Sequence, residues 1–266
     1  VTFGPLVHTF WGPTVTDYPP RHERMGRVDP TTYAVIAAAV LVGSVVQSAV
    51  GLGVGLVAAP VTALLEPALM PGALLMVAVL LPCLTLVIDH HDIDWRGLGW
   101  SLPARFPGTL VGVWVVGALS ARELGIAIGI VVLGAVALTW RAVTVPLNRL
   151  SLSVAGFASG ITGTATSIGG PPIAIVYQHR PAREIRTTMA VYFLIGAGLS
   201  LGALWVTGDL ERDQAVAAAE LLPWLALGTG LGALARRSLP AHVVRPAVLV
   251  VSSASALVLL VRSLVG

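Results

Sequence analysis

Lysine is absent from this chain; all sixteen basic residues are Arg. Charge of either sign is scarce, at 11% of 266 residues, where an ordinary soluble domain carries about 25%. The arginines sit in short gaps between apolar runs. No basic face therefore exists along which phosphates could line up, and the net charge of +3 is no sign of a nucleic-acid partner. A single cysteine, Cys83, excludes an intrachain disulfide and, inside an apolar run, reads as a buried, inert thiol. Residues 1–31 lack an apolar run long enough for a signal-peptide core. With Trp11, Tyr18, five prolines and several charges, they read as a flexible tail, and Met25 stands where translation would start if that tail were over-extended.

What is abundant is apolar surface. Hydrophobic residues make up 56% of the chain and the mean hydropathy is +0.86, more than one core of this size can hide. Lipid is therefore part of the solvent. The 29 glycines suit membrane helices whose backbones approach closely. From Tyr33 onward, apolar segments recur at 33–65, 70–88, 98–119, 123–140, 151–178, 187–207, 214–235 and 243–264. Most have near the roughly 20 residues that span a bilayer. Segments 33–65 and 151–178 are too long for one straight crossing, carry Gly and Pro in their middle, and must break.

These two segments open the two halves of the membrane region. The expected fold is all-α and polytopic, with about eight transmembrane segments as two repeats of four, each opened by a broken helix. The organisation is then a tail at 1–31, a first repeat at 32–141 and a second at 142–266. If every segment makes a net crossing, Arg122, Arg180, Arg183, Arg186, Arg236, Arg237 and Arg245 fall in odd-numbered loops. Only Arg96, Arg141, Arg149 and Arg212 fall in even ones. Positive residues favour the cytoplasm, so both termini are expected outside a multi-pass inner-membrane protein.

A helix broken inside lipid frees backbone N–H and C=O groups that need a partner or a cavity. Paired breaks in two repeats are the strongest sequence pointer to a transport site, and half-helix N-termini suit an anion. Around the first break the candidate binding residues are Gln47, Ser48, Gly51, Gly53 and Gly55, with Pro60 as helix breaker. Around the second they are Gly163, Thr164, Thr166, Ser167, Gly169 and Gly170, with Pro171 and Pro172 as breakers. Arg105, between Pro103 and Pro107, is either a cavity-facing cation or an interfacial residue of a helix that starts near Pro107. Glu220 sits at nearly equivalent depth and is a candidate partner for it.

Neither broken segment contains Asp, Glu, His, Lys or Arg, which argues against an enzyme such as a lipid-pyrophosphate phosphatase. A cation-coupled antiporter or other small-solute channel is the nearer alternative, with Glu220 its one midplane carboxylate. His90 and His91 beside Asp89, Asp92 and Asp94 suggest a metal cluster, but adjacent side chains on a regular element point apart, so an incidental loop is expected. His179 at the end of the fifth segment reads as a loop residue, with proton coupling as the sharper alternative. Neither metal nor cofactor is expected. The partners are a small anion and the bilayer, and the oligomeric state stays open, a homodimer included.

The motifs Gly51-Leu-Gly53-Val-Gly55 with Pro60, and Gly163-Thr-Ala-Thr-Ser-Ile-Gly169-Gly170-Pro171-Pro172, resemble the paired signatures of the sulfite exporter TauE/SafE family, also called the anion permease family. The resemblance extends over residues 33–264. It implies duplicated four-helix units and an inner-membrane permease or exporter of sulfite, a sulfonate or another sulfur oxyanion, without choosing among them. Alternating access at a midplane site between the broken helices is the mechanism expected of such a carrier.

Overall fold

The computed structural model describes residues 29–50, 53–140, 145–235 and 241–265. Gly51, Met25 with most of the expected tail, and Arg141, Arg236 and Arg237 lie outside them. Among the described residues the helices are α1 (Pro30–Val50), α2 (Val54–Leu65), α3 (Gly72–Ile88), α4 (Trp95–Ala118), α5 (Ala121–Trp140), α6 (Arg149–Thr166), α7 (Gly170–Tyr177), α8 (Ala182–Thr207), α9 (Arg212–Ala235) and α10 (Ala241–Val265), with a 3-10 turn at Pro67–Leu69. Four stretches among the described residues, Pro30–Ser48, Ala121–Leu138, Arg183–Thr207 and Arg212–Leu234, are long and apolar enough to cross a bilayer. The protein is an all-α, multi-helix membrane protein.

Segment 33–65 divides into α1 and α2, and segment 151–178 into α6 and α7. Neither pair runs on in line. A Cβ at Gly53 would lie 2.7 Å from the Gly43 carbonyl oxygen and 2.8 Å from the Gln47 nitrogen, although residues ten apart on a straight helix are about 15 Å apart. A Cβ at Gly169 would similarly lie 3.0 Å from the Ser159 hydroxyl and 3.2 Å from the Gly163 Cα. The chain doubles back at both breaks. Ser167 makes the second reversal in the left-handed region, at φ 61°, while its N–H closes α6 on the Gly163 carbonyl.

The reversals decide which loops share an end. Asp89, after α3, is bridged by Arg183 and Arg186 of α8, and Tyr177, closing α7, bonds Asp94 at the start of α4. At the opposite end Gln214 of α9 donates to the Ala68 carbonyl. There too, Arg122 of α5 bonds the Ser263 and Leu264 carbonyls, and Arg262 of α10 bonds Leu64. This corrects the loop alternation expected from eight net crossings: loops 89–97 and 179–186, assigned above to opposite sides, meet at one end.

Small residues bring the backbones together. A Cβ at Gly108 would lie 2.2 Å from the Phe157 carbonyl oxygen, and one at Gly156 2.2 Å from that of Ser101. Gly112 and Gly160 make the same close contact one turn on. Thus α4 and α6 carry matching Gly-x3-Gly faces, the small-residue packing of membrane helices. On α9, Gly228 and Gly232 meet Ser44 and Ser48 of α1, and on α5, Gly125 and Gly129 meet Ser263 and Leu260 of α10. The pairings α1·α9 and α6·α4, α3·α8, α5·α10, and α2·α10 with α7·α5 map onto themselves when the first four segments are exchanged for the last four.

Two expectations about proline do not hold. α4 starts at Trp95, where Asp94 accepts the Gly97 N–H at 2.9 Å, and runs through Pro103 and Pro107, so Arg105 lies inside the helix and not before it. α2 likewise continues through Pro60; the first break lies seven residues earlier, at Gly53. Cys83 is half-buried, not buried.

Gly156→Ala is expected to destabilise the protein by about 1–3 kcal/mol, the usual cost of overpacking. Gly99→Ala, where an added Cβ meets nothing within 4 Å, should be neutral or stabilising by up to about 1 kcal/mol. Thermal unfolding of both variants in one detergent reads the difference, and equal shifts would mean that α4 and α6 pack more loosely than described.

Candidate functional site

The two reversals face each other. Between them lies a cavity of about 70 Å³, lined by Gln47, Gly53, Gly55 and Leu56 from the first break and by Gly163, Ser167, Ile168, Gly169, Gly170 and Pro171 from the second. Leu75 and Ala78 of α3, Arg105 of α4, and Phe193 and Ala197 of α8 complete it. Phe193 and Ala197 flank the middle of the Arg183–Thr207 span, so the cavity lies half-way along the bundle. Its polar groups come from elements that the reversals deliver. The Gln47 amide oxygen accepts the Val54 N–H at 3.0 Å and caps α2. Ser159 donates to the Gly169 carbonyl and ties the second reversal to α6. In the first turn of α7, Pro171 and Pro172 lack N–H groups, so the donors there are fewer than at an ordinary helix start.

Arg105 is the charged residue of the site. It is 2% exposed, and its Nη1 donates to the Ser159 hydroxyl at 2.9 Å. Its guanidinium carbon stands 4.8 Å from the ring centre of fully buried Tyr192. A Cβ at Gly196 would lie 2.2 Å from that carbon, so a side chain on α8 at this position would push the guanidinium aside. Nε has no hydrogen-bond partner, and among the described residues no carboxylate pairs with Arg105. Glu220 does not supply one: it is exposed on α9, and its main-chain carbonyl accepts from Tyr33. A buried, uncompensated cation beside a polar cavity is a place for an anion.

Other expected ligands point elsewhere. Ser48 donates to the Thr229 carbonyl at 3.2 Å, and the Thr164 hydroxyl meets that of Ser200 at 2.8 Å between α6 and α8. Thr166 bonds back to the Thr162 carbonyl at 2.6 Å. Pro172 follows the lining residue Pro171 without lining the cavity itself. Ser159, Tyr192 and Gly196 belong to the site and were not among the candidates. Ser159 stands four residues before Gly163, one turn away on the same helix face, which was the signal available for it.

The sequence pattern of the sulfite exporter TauE/SafE family matches residues 35–259. The chain belongs to that family. It is a membrane transporter of small anions, not an enzyme. A probable inner membrane transporter protein, TsaS, from Comamonas testosteroni is 25% identical over 180 residues, which cover 64% of this chain and 74% of that protein. No solved structure matches the chain.

Around this TauE/SafE site most of the other charges among the described residues lie in loops or near helix ends. No group of three metal-ligating side chains occurs among the described residues. His90 and His91 stack on each other, 4.6 Å between ring centres, rather than pointing apart, because they lie in a loop and not on a regular element. His179 is exposed in the turn after α7. Asp89 is the best-tied carboxylate, bonded to Arg183 at 2.9 and 3.0 Å and to Arg186 at 3.1 Å. The Arg183 guanidinium, helped by the His91 N–H and Arg186, holds its carboxyl well below the usual carboxylate range.

A depressed folded-state pKa stabilises above the unfolded value and loses that stabilisation as pH falls. The Asp89 contribution is thus expected to be complete above about pH 5, beyond the ordinary Asp range, and to fade as pH drops further. Thermal unfolding followed across acidic pH should show this decline in the wild type and a flatter profile in Asp89→Asn. Parallel profiles would mean that the Asp89 cluster does not hold α3 to α8.

Proposed function

We propose that the protein moves a sulfur oxyanion, sulfite or a sulfonate, through the cavity between the two breaks by alternating access. The observation that carries this is Arg105: buried, without a carboxylate partner among the described residues, and lining the space where both reversals meet. The architecture we infer is two inverted repeats, 32–141 and 142–266. Each has three crossing helices and one re-entrant hairpin that reaches the middle of the bilayer. Support comes from the doubling back at Gly53 and Gly169 and from the self-mapping of the helix pairings. Inverted repeats that meet at a midplane site are the arrangement from which rocking carriers are built.

The same architecture revises the arginine count. Among the described residues, the Asp89 end then carries Arg96, Arg149, Arg180, Arg183, Arg186 and Arg245. The opposite end carries Arg122, Arg212 and Arg262, with Arg21, Arg24 and Arg27 in the tail. The excess puts the Asp89 end in the cytoplasm and both termini outside.

Uptake of radiolabelled sulfite into proteoliposomes tests this reading. Arg105→Gln should lower flux about 10- to 100-fold, as expected for losing a hydrogen bond to a charged group of about 1.5–3 kcal/mol. Glu220→Gln should leave it at the wild-type level. The reverse pattern would favour a cation-coupled antiporter.

A further inference from the structure

Resting on the anion-site reading, we infer that the cavity selects a small, singly charged inorganic oxyanion and rejects both dianions and sulfonates with a bulky substituent. Charge and size argue for it separately.

Charge comes first. Among the described residues, Arg105 is the one ionisable residue that lines the cavity; Gln47 and Ser167 are the other polar side chains there. Gly51 and Leu52, which stand between α1 and α2 in the sequence, are uncharged. One cation and one monoanion make a neutral pair that a low-dielectric interior tolerates. A second negative charge would be desolvated with nothing opposite it, and an uncompensated buried charge is heavily penalised. Nor, among the described residues, does a second cation line the cavity, and Arg183 and Arg186 at the start of α8 are engaged by Asp89. The donors that remain are neutral. They serve the oxygens of an anion without adding to its charge compensation.

Size is set by backbone. Gly53, Gly163, Gly169 and Gly170 line the cavity, and a main-chain wall does not swing aside as a side chain does. Gly163 and Gly169 are packed so closely that a Cβ on either would lie 3.2 Å from the other's Cα. The volume of about 70 Å³ compares with about 10–15 Å³ for one water and about 150 Å³ for a cavity that admits benzene. A compact oxyanion fits; an aryl sulfonate does not.

Sulfite would be carried as hydrogensulfite, so that the proton crosses on the substrate itself. That agrees with a cavity in which, among the described residues, no carboxylate or histidine is part of the lining.

Thermal shift of the purified full-length chain in detergent tests this with nitrate, sulfate, toluenesulfonate and sulfite. Nitrate should stabilise the wild type independently of pH. Sulfite should bind more tightly as pH is lowered and hydrogensulfite accumulates. Sulfate and toluenesulfonate should bind at least about tenfold more weakly than nitrate. Arg105→Gln should abolish the nitrate shift and Arg105→Lys should keep part of it; if the Gln variant does not fold, the wild-type ranking still decides. Sulfate binding as tightly as nitrate would overturn the charge selection, and toluenesulfonate doing so would overturn the size selection, with the anion site intact in both cases. No shift with any anion would remove the anion site itself, and this inference with it.

Discussion

Inside a bilayer no water reaches the backbone, so a polypeptide that reverses direction there must find protein partners for the groups it frees. The reversals at Gly53 and Gly169 exist on those terms. Gln47 accepts the first N–H of α2, Ser159 ties the Gly169 carbonyl to α6, and Ser167 donates from the second break to the Pro71 carbonyl at the start of α3. Each break is also shielded by the other. Gly55 approaches so close that a Cβ there would lie 2.7 Å from the Ser167 carbonyl oxygen. The site is the space left where two such reversals cannot close completely.

Packing around that space depends on glycine. Between α4 and α6 the added Cβ distances fall to 2.2 Å, so these helices meet backbone to backbone along Gly108, Gly112, Gly156 and Gly160. That contact also brings Arg105 of α4 within reach of Ser159 of α6. The same close approach that holds the bundle together therefore buries the cation. A bulkier interface would leave the guanidinium farther from the second break.

The helix pairings are nearly symmetric, yet the chemistry is not. Aligning the Gly-x3-Gly faces of α4 and α9 sets Pro103 against Pro223 and Arg105 against Leu225, which is fully buried and apolar. The symmetric pairing supplies the frame, and one difference of charge within it makes the site polar on one side. Asp94 and Gln214 stand at matching helix starts by the same alignment, each tying its helix to the neighbouring hairpin, to Tyr177 in one case and Ala68 in the other.

Hydropathy, glycine content and the excess length of segments 33–65 and 151–178 determined, from sequence alone, an all-α membrane protein interrupted at two matched places. The family resemblance rested on the glycines and prolines there. These features are local: they follow from how many residues fit in a hydrocarbon layer and from what Gly and Pro do to a helix. The direction of the chain after each break was not legible, because a straight crossing and a reversal satisfy the same length and composition, and only the contacts of Gly53 and Gly169 with their preceding helices distinguish them. Nor could sequence separate Ser159 from Ser48, Thr164 and Thr166, all small hydroxyl residues near a break. Which hydroxyl meets Arg105 and which serves a neighbouring helix depends on rotation about the helix axis, and tertiary packing alone sets that angle.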